Sequence, residues 1–420
     1  IAENLSTGKP IYKKFASGLH EPLGLALHKG DLYTVQRTEL TRLRDTDGDG
    51  RADEYLTHAK GWGVTGNYHE YAYGPAVDKA GNMWVALNCS IGKGSNPNNQ
   101  WRGWSLRVKP DGSWSPMSGG FRSPSGIGTN LAGDVFATDQ QGNWYATCPL
   151  MHVKRGAFHG HADALQFTKL PAATFQVKQP LPKNLTVAEA AKRIPAYQLP
   201  AVWFPYRKMG MSTTDILADS TKGKFGPFAG QIFCGEFTMS FVSRVFLEKV
   251  DGEYQGACFR FREGLDCAAL RLQWGADGSM YIGQSNRGWN SLGTKSYGLQ
   301  RLQWTGKVPF EIKEMSAQRD GFRLVFTQSV DASTVINPKS YTVTSYTYPY
   351  QSKYGGEPMD VKTHTVKVAG LDTTSRSVQL TIDEMRPGYV YELQASGIRN
   401  TRGQPLLHSA AYYTLNRVPK

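Results

Sequence analysis

The five cysteines of this 420-residue chain form no CxxC pair, no CxxCH motif and no zinc-finger spacing. That excludes thiolate zinc modules and covalently attached haem. No apolar run of 18 residues occurs, so no membrane-crossing helix is expected. The chain opens without Met and without a signal-peptide pattern, and a leader or upstream region is expected to have been removed. Charged residues make up only 20%, too few for a disordered chain. No Lys/Arg block of five and no nucleic-acid recognition module is present, so nucleic acid is not expected as a partner. P-loop, dinucleotide fingerprint, nucleophile elbow and Ser-His-Asp patterns are also missing.

What is abundant points to all-β architecture: 45 glycines, 22 prolines and 12% aromatics. The net charge of +13 suits an anionic partner, such as an acidic glycan or an anionic cofactor. Cys258 and Cys267 flank a short loop, and one disulfide between them is expected in an oxidising compartment.

Residues 1–308 carry a loose repeat of a Pro/Gly turn, an apolar strand, a Gly-Asp or Asp-Gly turn and an aromatic strand. Its copies start near Glu21, His69, Ser123 and Ala269, with a degraded copy around Gly230–Cys234. The spacing of about 50 residues is that of propeller blades. Five copies, plus a sixth completed by the strand around Ile11–Phe15, predict a six-bladed β-propeller. An insertion over about 154–225 is expected to cover one face, and its capping box Thr186-Val187-Ala188-Glu189 predicts a helix stopped by Pro195. From 309 to 420 the period-two strands predict an Ig-like β-sandwich with no candidate site of its own.

The residues with chemistry are dispersed. Asp45, Asp47, Asp49 and Asp53 surround a Gly turn, as in the start of a calcium loop, although Leu56 stands where an EF-hand has Glu. His69 precedes an innermost strand, where it suits a general base or a metal ligand, and strand alternation directs Glu70 the other way. His159, His161 and Asp163 share one side of an extended chain, as metal ligands do. Arg122 stands before another inner strand, where it can clamp a carboxylate or ketone oxygen. Asn286, Arg287 and Trp289 are placed similarly in the last repeat, with Trp289 able to stack on a sugar ring. Glu236 is a further carboxylate at a strand end.

Several stretches together carry a family resemblance: Gly30-Asp31-Leu32-Tyr33, Thr41-Arg42-Leu43-Arg44 with the Asp45 loop, the His69 repeat, Gly160-His161, Lys224-Phe225-Gly226-Pro227-Phe228, Arg244-Val245-Phe246-Leu247-Glu248 and Asn286-Arg287-Gly288-Trp289. The chain resembles the sorbosone/glucose dehydrogenase-like propellers, in particular the membrane-bound-dehydrogenase-type branch frequent in planctomycetes and relatives. The resemblance implies a periplasmic or secreted sugar oxidoreductase with pyrroloquinoline quinone (PQQ) at the axis and calcium. In this reading His69 takes the substrate hydroxyl proton and Arg122 and Arg287 hold quinone or sugar oxygens. A cytochrome-like partner would take the electrons. Arg122 departs from the family's Arg-Asn pattern, since Ser123 follows it. A second reading is a metal-dependent sugar lyase, isomerase or hydrolase with a divalent transition metal on His69, His159, His161 and Glu236. A third is a non-catalytic glycan- or partner-binding propeller.

Overall fold

The computed structural model describes residues 2–3, 11–92, 97–372, 374 and 376–420. Five antiparallel sheets follow one another along the chain. The first comprises Leu25–His28, Asp31–Val35, Glu39–Arg44 and Glu54–Lys60, and the second Ala72–Val77, Met83–Leu87, Trp104–Val108 and Trp114–Gly119. The third is Gly126–Thr129, Val135–Thr138, Cys148–His152 and Val202–Phe204. The fourth is Thr213–Ala218, Ile232–Glu236, Phe241–Val250 and Glu253–Arg262, and the fifth Ala269–Trp274, Met280–Ser285 and Tyr297–Leu302. Each is laid down in sequence order from inner to outer edge. The first strand of each sheet packs beside the first strand of the next, as in a β-propeller.

Six blades were expected. Five such sheets occur among the described residues, and strand Ile11–Tyr12 pairs with Ala2–Glu3 instead of joining any of them. Two ring strands, Val202–Phe204 and Thr213–Ala218, lie inside the stretch expected to be an insertion. Their apolar residues pair with Cys148–His152 and Ile232–Glu236 across long loops, a partnership without local signal. The predicted helix is present as Val187–Arg193, with the Thr186–Glu189 capping box formed in both directions.

At the axis the inner strands approach closely. A Cβ on Gly24 would lie 2.0 Å from the Gly74 carbonyl oxygen, so only glycine fits there. Arg271 of the fifth sheet spans this point. Its Nε donates to the Leu23 carbonyl at 2.8 Å, its Nη1 to the Ser125 carbonyl at 3.0 Å, and its guanidinium lies 5.2 Å from the centre of the Tyr73 ring. One side chain therefore ties the fifth sheet to the entry of the first, to the second and to the third.

Because strands alternate in direction, the turns between strands one–two and three–four emerge at one end of the ring. The connections two–three, and those from one sheet to the next, emerge at the other. The first end has short turns closed by their own side chains. Asp78 Oδ1 accepts from the Ala80 and Asn82 amides, and Asp277 Oδ1 from the Ser279 amide. The second end has the connections that carry His69, Cys89, Arg122 and Arg287, while the longest loop, 153–201, leaves from the first end between the third and fourth strands of the third sheet.

The C-terminal region forms two four-stranded sheets sharing one apolar core: Ile312–Gln318, Gly321–Phe326, Ser377–Ile382 and Val366–Leu371 against Ala410–Leu415, Tyr389–Gln394, Thr342–Thr347 and Met359–His364. The second sheet continues edge to edge from the fourth ring sheet through Gly256↔Thr414, Ala257↔Tyr413 and Cys258↔Tyr412. Buried Arg244 adds a staple. It is held between the Phe228 and Phe259 rings, each 4.1 Å away, and donates to the Ile312 and Lys313 carbonyls at 2.6 and 2.8 Å.

All five cysteines are buried free thiols, so the expected Cys258–Cys267 disulfide is not formed. Cys258 points between sheets, with its Sγ 3.6 Å from the Trp203 carbonyl oxygen. No described helix is long and apolar enough to cross a membrane.

Candidate functional site

The loop 61–71, between the first and second sheets, is built on buried charge. Arg102 is fully buried and donates to four backbone carbonyls: Gly63 at 2.7 Å, Glu70 at 2.7 Å, Tyr71 at 2.8 Å and Arg37 at 2.8 Å. The Arg37 and Tyr71 carbonyls also accept from Trp62 Nε1 and the Asn88 amide, at 2.9 and 3.0 Å. Glu70, fully buried as well, accepts from the Thr65 amide, the Thr65 hydroxyl and the Ser90 hydroxyl. Arg37 bonds Glu21 at 3.0 Å and the Asn67 carbonyl. These contacts fix a turn in which His69 stands half-buried, three residues before the inner strand begins at Ala72. Tyr68 packs edge-on against it, with ring centroids 5.3 Å apart.

Arg122 comes from the next connection. Its backbone amide and that of Ser123 donate to buried Asp139 at 2.8 and 2.7 Å, which sets the direction in which the side chain leaves. Burial pushes the Asp139 carboxyl up to about 7, against the pull of these donors. The Arg122 side chain is buried, its Nε has no hydrogen-bond partner, and its Nη1 reaches the Gln141 carbonyl only at 3.5 Å. The guanidinium is near enough for its charge to act on His69 and His161. Partial burial and then Arg122 lower the pKa of His69, and full burial and then Arg122 push His161 down to about 3. Both imidazoles are neutral at pH 7.

Tyr354 covers Arg122, with the guanidinium 5.3 Å from its ring centre. It belongs to the C-terminal region, in which no candidate site was expected. A strap there is tied down by Trp144 N–H to the Gln351 carbonyl at 2.9 Å, by Gly355 N–H to the Gly142 carbonyl at 3.0 Å, and by the Tyr350 hydroxyl to the Gly160 carbonyl at 2.8 Å.

His161 arrives from the long excursion between the third and fourth strands of the third sheet. That chain runs parallel to the outer edge of the second sheet: Gly119 N–H donates to the Ala157 carbonyl, His159 N–H to the Gly119 carbonyl and His161 N–H to the Gly120 carbonyl, at 3.1, 2.8 and 2.9 Å. It thus returns to the end of the ring that carries His69. The shared side expected of His159 and His161 is not found. Gly160 takes φ +117° and turns the chain. His159 Nε2 meets the Ser118 hydroxyl at 3.1 Å beside the Phe121 ring, in the core. His161 instead caps the short helix Ala162–Phe167. Cys89, His161 and Asp163 bring one donor atom each to within 4.8 Å of one another.

Glu236 is absent from this group. Its carboxylate is taken up by the Met211, Ser212 and Met239 amides, and burial pushes it up to about 7. Asn286 is likewise consumed, donating to the Gly293 and Lys295 carbonyls and accepting from the Ala268 amide and Ser291 hydroxyl. Arg287 and Trp289 are exposed on the same end of the ring, Trp289 at 65%. Their loop touches the His69 turn, since a Cβ on Gly288 would lie 2.9 Å from the Tyr68 hydroxyl.

The acidic loop lies at the opposite end, between the third and fourth strands of the first sheet. Asp45, Asp47 and Asp49 bring carboxylate oxygens within 4.8 Å of one another. Asp53 turns to the Thr46 amide and hydroxyl at 2.6 and 2.8 Å. An ion there would brace a hairpin and would not meet a ligand at His69.

Residues 12–257 match a protein family described as a domain of unknown function, DUF7133. The chain belongs to that family. The DUF7133 match spans the first three ring sheets, most of the fourth and the excursion that delivers His161, so it contains His69, Cys89, Arg122, His161 and Asp163. No curated protein matches in sequence. Solved structures with similarity include a glucose dehydrogenase, at 15% identity and TM-score 0.44, covering 71% of this chain and 87% of the other. The PQQ-bound aldose sugar dehydrogenase of Streptomyces coelicolor is similar at 15% identity and TM-score 0.36, covering 69% and 96%. The apo aldose sugar dehydrogenase of Escherichia coli is similar at 12% and 0.37, covering 62% and 73%. A superposition this loose carries neither activity nor cofactor from one chain to another.

The sequence reading missed Cys89, Asp139 and Tyr354 and left Asp163 out of the axial metal set. Asp163 was visible two residues after His161. Cys89 and Tyr354 had no signal, because each meets its neighbours only through the fold.

Proposed function

We propose that the His69 end of the ring oxidises a hydroxyl group of a carbohydrate. The observation behind this is the pairing of His69, neutral at pH 7, with Arg122, whose buried Nε lacks a partner. A neutral imidazole accepts the hydroxyl proton as the carbon is oxidised. The free guanidinium donors take an anionic or carbonyl oxygen. That unpaired Nε fits one carboxylate or carbonyl oxygen of a quinone such as PQQ. Arg122 would hold it, and Arg287 stands exposed on the same end. When bound, the quinone supplies the hydride acceptor.

The chain's own residues do the rest. Arg102, Glu70 and Arg37 hold the His69 turn, so the base need not be ordered when substrate arrives. Tyr354 limits the freedom of Arg122. Trp289 offers a flat apolar surface to a sugar ring, and the net positive charge favours anionic sugars. Calcium, expected at the Asp45 loop, has no part in the proton transfer. Delivery of electrons to a cytochrome-like protein and a periplasmic or secreted location belong to the same proposal.

The test is dye reduction by the purified protein with PQQ, calcium and a panel of neutral and acidic sugars. His69→Gln should lower turnover by about 10²–10⁴-fold with an unchanged melting temperature. The acid limb of the activity profile should lie below the ordinary histidine range, because partial burial and then Arg122 lower the His69 pKa and activity is lost as pH falls through it. Sugar-independent reduction, or turnover unaffected by His69→Gln, would refute the proposal.

A further inference from the structure

We propose that Cys89, His161 and Asp163 hold a divalent transition metal of zinc-like character, with a coordination position left open beside Arg122. The three donors come from two distant segments and lie within 4.8 Å of one another. A tetrahedral ion with bonds of about 2.0–2.3 Å sets its ligands roughly 3.3–3.8 Å apart, so side-chain adjustments below about 1 Å close the set. Thiolate, imidazole and carboxylate together favour zinc and its neighbours over calcium or magnesium. Three protein ligands instead of four are the pattern of a metal that keeps a place for water or substrate.

The frame around these residues is already fixed. Both ligand segments hang from the same short stretch of chain: the Cys89 amide donates to the Arg122 carbonyl at 2.9 Å, and the His161 amide donates to the Gly120 carbonyl at 2.9 Å. His161 and Asp163 are further coupled by the helix cap, Asp163 N–H to His161 Nδ1 at 3.4 Å. Cys89 and His161 are buried, while Asp163 is only partly so, which leaves one side of the group accessible. Arg122 acts on all three groups electrostatically. A substrate carboxylate or alkoxide on the metal's open position would neutralise that charge. Of the axial set read from sequence, His161 alone belongs to this group.

The site goes beyond the oxidoreductase reading, because occupancy is measured without turnover. Full-length protein is stripped with chelator, incubated with zinc or cobalt(II), dialysed and assayed for metal. The expected result is about one equivalent retained, falling at least tenfold in Cys89→Ser and unchanged in Asp45→Asn. Cobalt-loaded wild-type protein should also show a thiolate-to-cobalt charge-transfer band, which decides the matter even where Cys89→Ser fails to fold. No retention by the wild type, retention unaffected by Cys89→Ser, or a cobalt spectrum without the thiolate band would each overturn the proposal.

Discussion

The two ends of the ring are held by different physics. At the end opposite His69, Asp side chains close short turns within a few residues, as Asp78 does for Ala80 and Asn82 and Asp277 for Ser279. At the other end Arg102 reaches 65 residues back to Arg37, and the strap carrying Tyr354 comes from the C-terminal region, more than 200 residues after Arg122 in the chain. Turns of the first kind depend on local sequence alone and can be read from it. The His69 end depends on partners that only the closed ring supplies, and its chemistry is exposed to any loss of that scaffold.

Substitutions test this contrast. Arg102→Met should have the largest effect. Four carbonyls lose a charged donor, and stability should fall by about 3 kcal/mol or more in urea unfolding, with activity at His69 lost even in the folded fraction. A milder loss would mean that the His69 turn holds itself.

Gly142→Ala should separate the site from the fold. A Cβ there would lie 2.1 Å from Arg122 Nε, and a flexible side chain moves more easily than backbone. The expected outcome is a KM raised about tenfold, or roughly 1.4 kcal/mol, for an anionic ligand, with little change in Tm. An unchanged KM would remove Arg122 from the site.

Asp78→Ala makes the opposite cut. It should cost about 1 kcal/mol of stability through the lost bonds to the Ala80 and Asn82 amides, the Asn82 side chain and Trp84 Nε1, while kcat and KM stay as they are. Any effect on catalysis would show that the two ends communicate. Tyr354→Ala should have the smallest effect, about 0.5–1 kcal/mol of ligand affinity from the exposed cation–π contact, seen as a KM raised a few-fold. No effect at all would return the site to the ring alone.

The fold was legible where its causes are local. The Thr186 capping box formed as read, and the Gly-Asp and Asp-Gly turns fell between antiparallel strands at Gly30–Asp31 and Asp277–Gly278. The count of blades was not local. Five such sheets occur among the described residues, Arg271 of the fifth bonds the entries of the first and third, and Ile11–Tyr12 joins none of them. The His159–His161 reading assumed an extended chain. Gly160 broke it by taking a conformation open to glycine, which placed one histidine in the core and the other at the site.

The sequence by itself determined an all-β chain of repeated strand-turn-strand units, the turns that divide them, and the histidine and arginine that precede two inner strands. It did so because alternation, turn chemistry and capping act within a few residues. Tertiary structure alone decided that Arg122 acts on both His69 and His161, that Cys89 and Asp163 join His161, that Glu236 and His159 do not, and that the C-terminal region supplies Tyr354. Those outcomes depend on which distant segments the ring brings side by side, and on which polar groups find backbone partners on the way.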